Sequence, residues 1–157
     1  MIRVLMLCMG NICRSPMAEA VFRDMVERAG LADKISVDSA GTSGYHAGEL
    51  AHPRTLQVLE RHGIYYSGTS RRVRAEDFVK FDYILAMDRY NLRQIDHFIE
   101  TSRAKVTLLL SYAYHAGLMT FDEVEDPYYN DRYEDTYEVI RVGCKAFLDY
   151  LRERYRL

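Results

Sequence analysis

The residues with the strongest claim on chemistry stand near the N-terminus. Cys8 is followed six positions later by Arg14 and then by Ser15, with Met9, Gly10, Asn11, Ile12 and Cys13 between and Pro16 beyond. A thiolate is a strong nucleophile, and a planar guanidinium can hold two oxygens of a phosphoryl group. Gly10 and Asn11 are residue types that readily take left-handed conformations, so the intervening chain can curl and turn successive N–H groups toward one point. Such a nest binds anions, and Cys8 would lie beneath the phosphorus. Surrounded by N–H donors, a hydroxyl, an arginine and a helix N-terminus, its sulfur is expected to be a thiolate at neutral pH. Cys-x5-Arg alone leaves open that Cys8 is a small buried hydrophobe, the usual fate of a free cysteine. An apolar strand, Cys, Gly-Asn, Arg-Ser-Pro and a helix start in unbroken succession favour the nucleophile.

A thiolate that attacks a phosphate ester needs an acid for the departing oxygen and later a base for water. One carboxylate can do both. The segment Asp122, Glu123, Val124, Glu125, Asp126, Pro127, Tyr128, Tyr129 offers four. Asp126 is the favourite by position, because Pro127 holds the residue before it extended and two aromatics follow.

The elements that must position these groups alternate. Residues 2–7 are apolar apart from Arg3 and partly β-branched, a strand that runs directly into the Cys8 loop. Ser15 is an expected N-cap and Pro16 suits a first helical turn, so a helix over 16–29 would aim its positive end into the same hollow. Strands are predicted at 35–40, 83–87 and 105–110, and helices at 53–62, from Asp88 through about 98, and at 136–154. Glycines at 41, 44 and 48 make 41–51 a surface loop. Alternation of this kind implies an α/β fold in three layers, a parallel sheet with helices on both faces and right-handed crossovers. Its ligand site belongs beyond the carboxyl ends of the strands, where the Cys8 loop lies.

The stretch Cys8 to Pro16 closely resembles the phosphate-binding loop of the low-molecular-weight protein tyrosine phosphatases. Further matches are Val37-Asp38-Ser39-Ala40-Gly41-Thr42, Arg61-His62-Gly63-Ile64, the run from Phe81 to Asp88, Asn91-Leu92 and Asp126-Pro127-Tyr128-Tyr129, so the likeness covers most of the chain. A Walker-type loop is excluded, since its Gly-Lys-Ser/Thr is missing. The resemblance implies a four-stranded sheet ordered 2-1-3-4 with the phosphate-binding loop after strand 1. It implies hydrolysis of phosphotyrosine and aryl phosphates through a cysteinyl-phosphate intermediate, with Cys8 as nucleophile, Arg14 on the phosphoryl oxygens and Asp126 as general acid. It further implies that Asn11, Ser15 and Ser39 support the loop, that Cys13 is a redox partner of Cys8, and that phosphate-like oxyanions inhibit. Tyr128 and Tyr129, with Tyr45 opposite and Ile12 below, would wall the pocket. Stacking on a substrate ring is worth about 0.5–1.5 kcal/mol per contact, so selectivity for phosphotyrosine should come from depth, which phosphoserine cannot span.

Two departures from the family pattern stand out. A His that often helps order the loop is replaced in the region of Gly68 and Thr69, and His52 stands where an Asp often caps the helix beginning at Pro53. Arg71, Arg72 and Arg74 read as a solvated basic face, and Cys144 as core.

At 157 residues with 48% hydrophobic content, the chain is expected to be one domain over 1–157. A net charge of -2 and a pI near 6.2 favour neither a nucleic-acid nor a membrane partner. No transmembrane segment or signal peptide is apparent, and a cytoplasmic monomer acting on a tyrosine-phosphorylated protein is expected. Three cysteines and five histidines show no metal-ligand spacing, so neither metal nor cofactor is expected. The competing functions are a protein-arginine phosphatase, a thioredoxin-coupled arsenate reductase and a non-catalytic phosphotyrosine-binding module. The first carries Thr at the position of Ile12, the second needs two further downstream cysteines, and the third needs neither nucleophile nor acid.

Overall fold

Strand β1 (Ile2–Cys8) is buried on both faces, and its alternation divides the hydrophobic core in two. Val4, Met6 and Cys8 point into the larger core, with Met17, Phe22, Ile140, Phe147 and Leu151. Leu5 and Leu7 point into a smaller one with Phe78, Phe81, Ile84 and Ile95. Helices therefore cover both faces, giving the three layers expected. The computed structural model describes residues 1–157.

Strands β1, β2 (Ile35–Gly41), β3 (Tyr83–Ala86) and β4 (Lys105–Leu108) form one parallel sheet in the order β2-β1-β3-β4. The chain leaves β1 toward β2 on one side and later returns to β3 on the other. The crevice beyond Cys8 is thus the topological switch point, where open α/β sheets bind ligands. Helices α1 (Arg14–Arg28) and α2 (Pro53–Arg61) pack with the C-terminal helix on one face. Short helices α3 (Asp77–Lys80) and α4 (Arg89–Gln94) lie toward the other, and α5 (Ser111–His115) and α6 (Pro127–Asn130) are single turns within connections.

The long helix α7 (Tyr133–Tyr155) buries Ile140, Cys144, Phe147 and Leu151 at helical spacing. Phe147 meets Phe22 of α1 with ring centroids 5.3 Å apart. Gly143 lets α7 lie close against the residues after β4, because a Cβ there would stand 2.5 Å from a Leu110 methyl.

Three sequence expectations change. The helix predicted from Asp88 to about 98 is α4 followed by a 3-10 turn over Asp96–Thr101. The short helices were not read, since one turn carries no periodicity. Ser15 is not the N-cap of α1: Cys13 holds that position without a side-chain cap, and the Ser15 hydroxyl is committed to the Cys8 sulfur instead.

Candidate functional site

The loop of residues 8–14 is curled by Asn11, whose φ of 55° lies in the left-handed region. Its carbonyls are tied outward. The Cys8 and Met9 oxygens accept from the Thr42 and Ser43 N–H groups at 2.9 Å each, and Ile12 O accepts from His52 N–H at 2.8 Å. Ser70 Oγ donates to the Gly10 carbonyl at 3.0 Å. None of the backbone N–H groups of residues 9–14 donates within the chain. With those carbonyls tied to neighbouring segments and these donors left without partners in the chain, the loop has what an anion nest requires. Gly41 allows the close approach of β2, since a Cβ there would lie 2.8 Å from the Met9 oxygen.

Asn11 is buried, and its three side-chain bonds fix the geometry. Oδ1 accepts from the Arg71 N–H at 3.0 Å, while Nδ2 donates to Ser15 Oγ at 2.8 Å and to Ser39 Oγ at 3.0 Å. Because the Ser15 oxygen is already an acceptor, its hydrogen is available to Cys8 Sγ, 3.0 Å away. The Ser15 N–H also points at that sulfur, at 3.4 Å. Asn11, Ser15 and Ser39 are therefore brought together around Cys8.

Arg14 is buried and anchored by Asp126, which sequence reasoning named as the acid, and by Asp88 and the Val124 carbonyl, whose roles in the site it left out. Nη1 donates to Asp88 Oδ2 at 2.6 Å and to the Val124 carbonyl at 2.8 Å, and Nη2 donates to Asp126 Oδ2 at 3.4 Å. Burial works against its charge, but the negative Cys8, Asp126 and Asp88 outweigh it and raise the guanidinium above its ordinary range. Asp88 was read only as a helix cap, which it also is. The signal that it does more lay in topology: Ala86 pairs with Leu7, so the residue two past the end of β3 stands beside the loop that follows β1.

Above the loop opens a cavity of about 340 Å³. Cys8, Met9, Gly10, Ile12, Cys13 and Arg14 form its base, and Ser43, Tyr45, His46, Asp126, Tyr128 and Tyr129 its sides. All three wall tyrosines are present and largely exposed. Ser43 and His46 were not anticipated individually, although their glycine-bearing loop was. Asp126 has the extended backbone expected before Pro127 and caps α6, accepting from the Tyr128 N–H at 3.1 Å.

Cys13 faces the same cavity, its sulfur 3.6 Å from the Tyr133 hydroxyl. Burial pushes its thiol up to about 12. Arg71 is not part of a solvated face: besides fixing Asn11 it is half-buried and pairs with the buried Asp77 and with Asp38. Arg72 and Arg74 are exposed as expected. Nowhere do three or more His, Cys, Asp or Glu side chains gather closely enough to hold a metal ion.

His52 takes over the capping role of an Asp, its Nδ1 accepting from the Arg54 N–H at 3.1 Å while its ring stacks on Tyr133. Burial first, and then the charge of Arg54, hold its pKa below the ordinary 6.5. The cap requires an unprotonated Nδ1. With the folded value depressed, its stabilisation is complete above the unfolded value near 6.5 and is lost as pH falls through the lower folded value. His52→Asn keeps a capping oxygen and does not titrate. Melting curves from pH 5 to 7.5 should show wild type gaining on this variant as pH rises; a constant difference would exclude the cap's titration.

Fold and site together define a phosphoric monoester hydrolase built on a phosphate-binding loop. The family model described as low molecular weight phosphotyrosine protein phosphatase matches residues 3–157. The chain belongs to that family. It is 43% identical over the full length of both chains to the low molecular weight protein-tyrosine-phosphatase YfkJ of Bacillus subtilis, and 44% identical over 93% of each chain to the Homo sapiens low molecular weight phosphotyrosine protein phosphatase. The YfkJ crystal structure superimposes with a TM-score of 0.92 at 39% identity, covering 98% of this chain and 96% of that one. A Drosophila arginine phosphatase superimposes with a TM-score of 0.87 at 34% identity, covering 95% and 97%.

Proposed function

We propose that the chain hydrolyses phosphotyrosine in proteins, and aryl phosphates generally, in two steps at the Cys8 loop. The convergence of Cys8, Arg14 and Asp126 on one aromatic-walled cavity carries this reading. In the first step the Cys8 thiolate attacks phosphorus, a sulfur–phosphorus bond forms, the phosphorus–oxygen ester bond breaks, and the Asp126 carboxylic acid gives its proton to the departing phenolate. In the second, water attacks the phosphocysteine, Asp126 takes a proton from it, and the thiolate leaves. Arg14 and the unpartnered N–H groups of residues 9–14 stabilise the equatorial oxygens throughout.

The incoming phosphoryl dianion competes with Asp126 for Arg14 Nη2 and repels a charged carboxylate, which favours the protonated acid that the first step needs. The apolar Ile12 at the cavity base suits a phenyl ring and offers no hydroxyl to a phosphoarginine, which favours the phosphotyrosine reading. The arsenate-reductase alternative lacks its relay: the third cysteine, Cys144, is fully buried in α7 with its sulfur against the Ala18 carbonyl. A pure binding module has no use for Asp126. We assign Cys13 as the thiol that traps an oxidised Cys8; its protonated state makes that step slow.

In this reading the enzyme is a cytoplasmic, metal-independent monomer inhibited by phosphate-like oxyanions, with no nucleic-acid or membrane partner. No helix is long and apolar enough to cross a membrane. The test is hydrolysis of phosphotyrosine, phosphoserine and phosphoarginine peptides with a chelator present. Release confined to phosphotyrosine supports the proposal. Preference for phosphoarginine would overturn the role of Ile12, and activity lost to the chelator would overturn metal independence.

A further inference from the structure

We infer that Tyr66 is a positioning residue for the Cys8 loop, acting through Glu19, and that position 68 is glycine because the Tyr66 phenol occupies the space its side chain would need. The inference deepens the phosphatase reading and rests on it.

Two independent observations carry it. The first is a continuous set of hydrogen bonds. The Tyr66 hydroxyl donates to Glu19 Oε1 at 3.0 Å, and Ser39 Oγ donates to the same oxygen at 2.5 Å. Asn11 Nδ2 donates to Ser39 and to Ser15, and Ser15 reaches Cys8. Two anions, the Glu19 carboxylate and the Cys8 thiolate, are the terminal acceptors. The single Asn11 amide between them supplies one hydrogen to each hydroxyl oxygen, which leaves the Ser39 hydrogen for Glu19 and the Ser15 hydrogen for the Cys8 sulfur at 3.0 Å in preference to the Ala40 carbonyl at 3.5 Å. The direction of the bond on sulfur is thereby tied to the orientation of Glu19.

The second observation is steric. A Cβ on Gly68 would lie 2.4 Å from the Tyr66 hydroxyl oxygen and 2.7 Å from Cζ. Gly68 is not in the left-handed region, so its backbone makes no demand for glycine. The three atoms nearest such a Cβ all belong to the Tyr66 phenol. The position where loop support is absent by sequence is filled from position 66.

Glu19 is buried on α1, and the groups facing it are Arg23 on Oε2 and Ser39 and Tyr66 on Oε1. Removing the phenolic hydrogen leaves Oε1 of the buried Glu19 with Ser39 as its one protein donor, and the carboxylate can pivot toward Arg23. Ser39 follows, Asn11 loses its register, and the Ser15 hydrogen is no longer directed at sulfur. Burial raises the phenol above its ordinary range, so it is a donor at every working pH.

The test is Tyr66→Phe, which keeps the ring and deletes only the hydroxyl. Its melting temperature should match wild type within the few degrees that one net hydrogen bond is worth. Its kcat on phosphotyrosine should fall on the order of three- to tenfold with KM unchanged, the loss expected of one hydrogen bond. Alkylation of Cys8 by iodoacetate, followed on the Cys8 peptide by mass spectrometry, should slow by a similar factor. Unchanged kcat and alkylation would reduce Tyr66 to packing and overturn the inference. Gly68→Ala should reproduce the loss in the wild-type background, because Cβ expels the phenol, and should add nothing to Tyr66→Ala. Equal losses in both backgrounds would refute the steric half. Alkylation does not require turnover, so a wild type that fails to hydrolyse phosphotyrosine would sink the functional reading while the positioning role is still decided.

Discussion

The Cys8→Ser variant is expected to lose roughly 10⁴-fold or more in kcat on aryl phosphates, as removal of an enzyme nucleophile does, while still binding inorganic phosphate. The two halves of that expectation come from different atoms. Turnover requires an ionised nucleophile, and a serine hydroxyl at the same place has no base beside it: its neighbours are the Ser15 hydroxyl and the Ser15 N–H, neither of which is a base. Binding uses the N–H groups of residues 9–14 and the Arg14 guanidinium, whose anchors at Asp88 and Val124 do not involve the sulfur. Loss of the thiolate also removes one negative charge from beneath a dianion, so phosphate binding measured by calorimetry should be unchanged or tighter. A residual kcat within tenfold of wild type would mean that water attacks phosphorus directly and that Cys8 is not the nucleophile.

The central strand was legible because its run from Val4 to Leu7 has no polar face, which only a strand covered on both sides tolerates. That strand runs without a gap into Gly-Asn and Arg-Ser-Pro, which placed the loop and α1 from local chemistry alone. The end of α4 was harder. Nothing local in Ile95 to Phe98 announces that the α-helix gives way to a tighter turn, since Ile95 is fixed by the smaller core and Phe98 by stacking on Phe78, 4.7 Å between centroids. Capping was legible in type and wrong in assignment. Ser15 is a good cap by composition, but the sulfur of Cys8 takes its hydroxyl, and His52 serves where a carboxylate was expected because an imidazole nitrogen is also an acceptor.

Within the site, distant residues such as Ser39 and Asp126 were found through the family resemblance, and the ones missed are neighbours of the loop only in space. Asp88 is 74 positions from Arg14, and Arg71 is 60 from Asn11. Their partners become neighbours through the β1–β3 pairing and the Gly41–Arg72 bridge, neither of which has a local signature. Glu19 lies on α1 among residues whose burial reads as ordinary helix packing, and its partners Ser39 on β2 and Tyr66, both distant in sequence, together with Arg23, explain a buried carboxylate.

Asp126→Asn separates acid catalysis from structure. The substitution keeps an oxygen that can accept the Tyr128 N–H, so the cap of α6 and the path of the loop toward the tyrosine walls are preserved. What disappears is the transferable proton. Hydrolysis of phosphotyrosine should fall by about 10²–10³ in kcat, the range that a positioned general acid contributes. Esters of acidic phenols, which depart without help, should lose far less, and competitive inhibition by phosphate should stay within a few-fold because Arg14 keeps its bonds to Asp88 and Val124. A variant that loses phosphate binding and turnover in equal measure, or that loses as much on esters of acidic phenols as on phosphotyrosine, would show that Asp126 holds the loop and that the proton comes from another group.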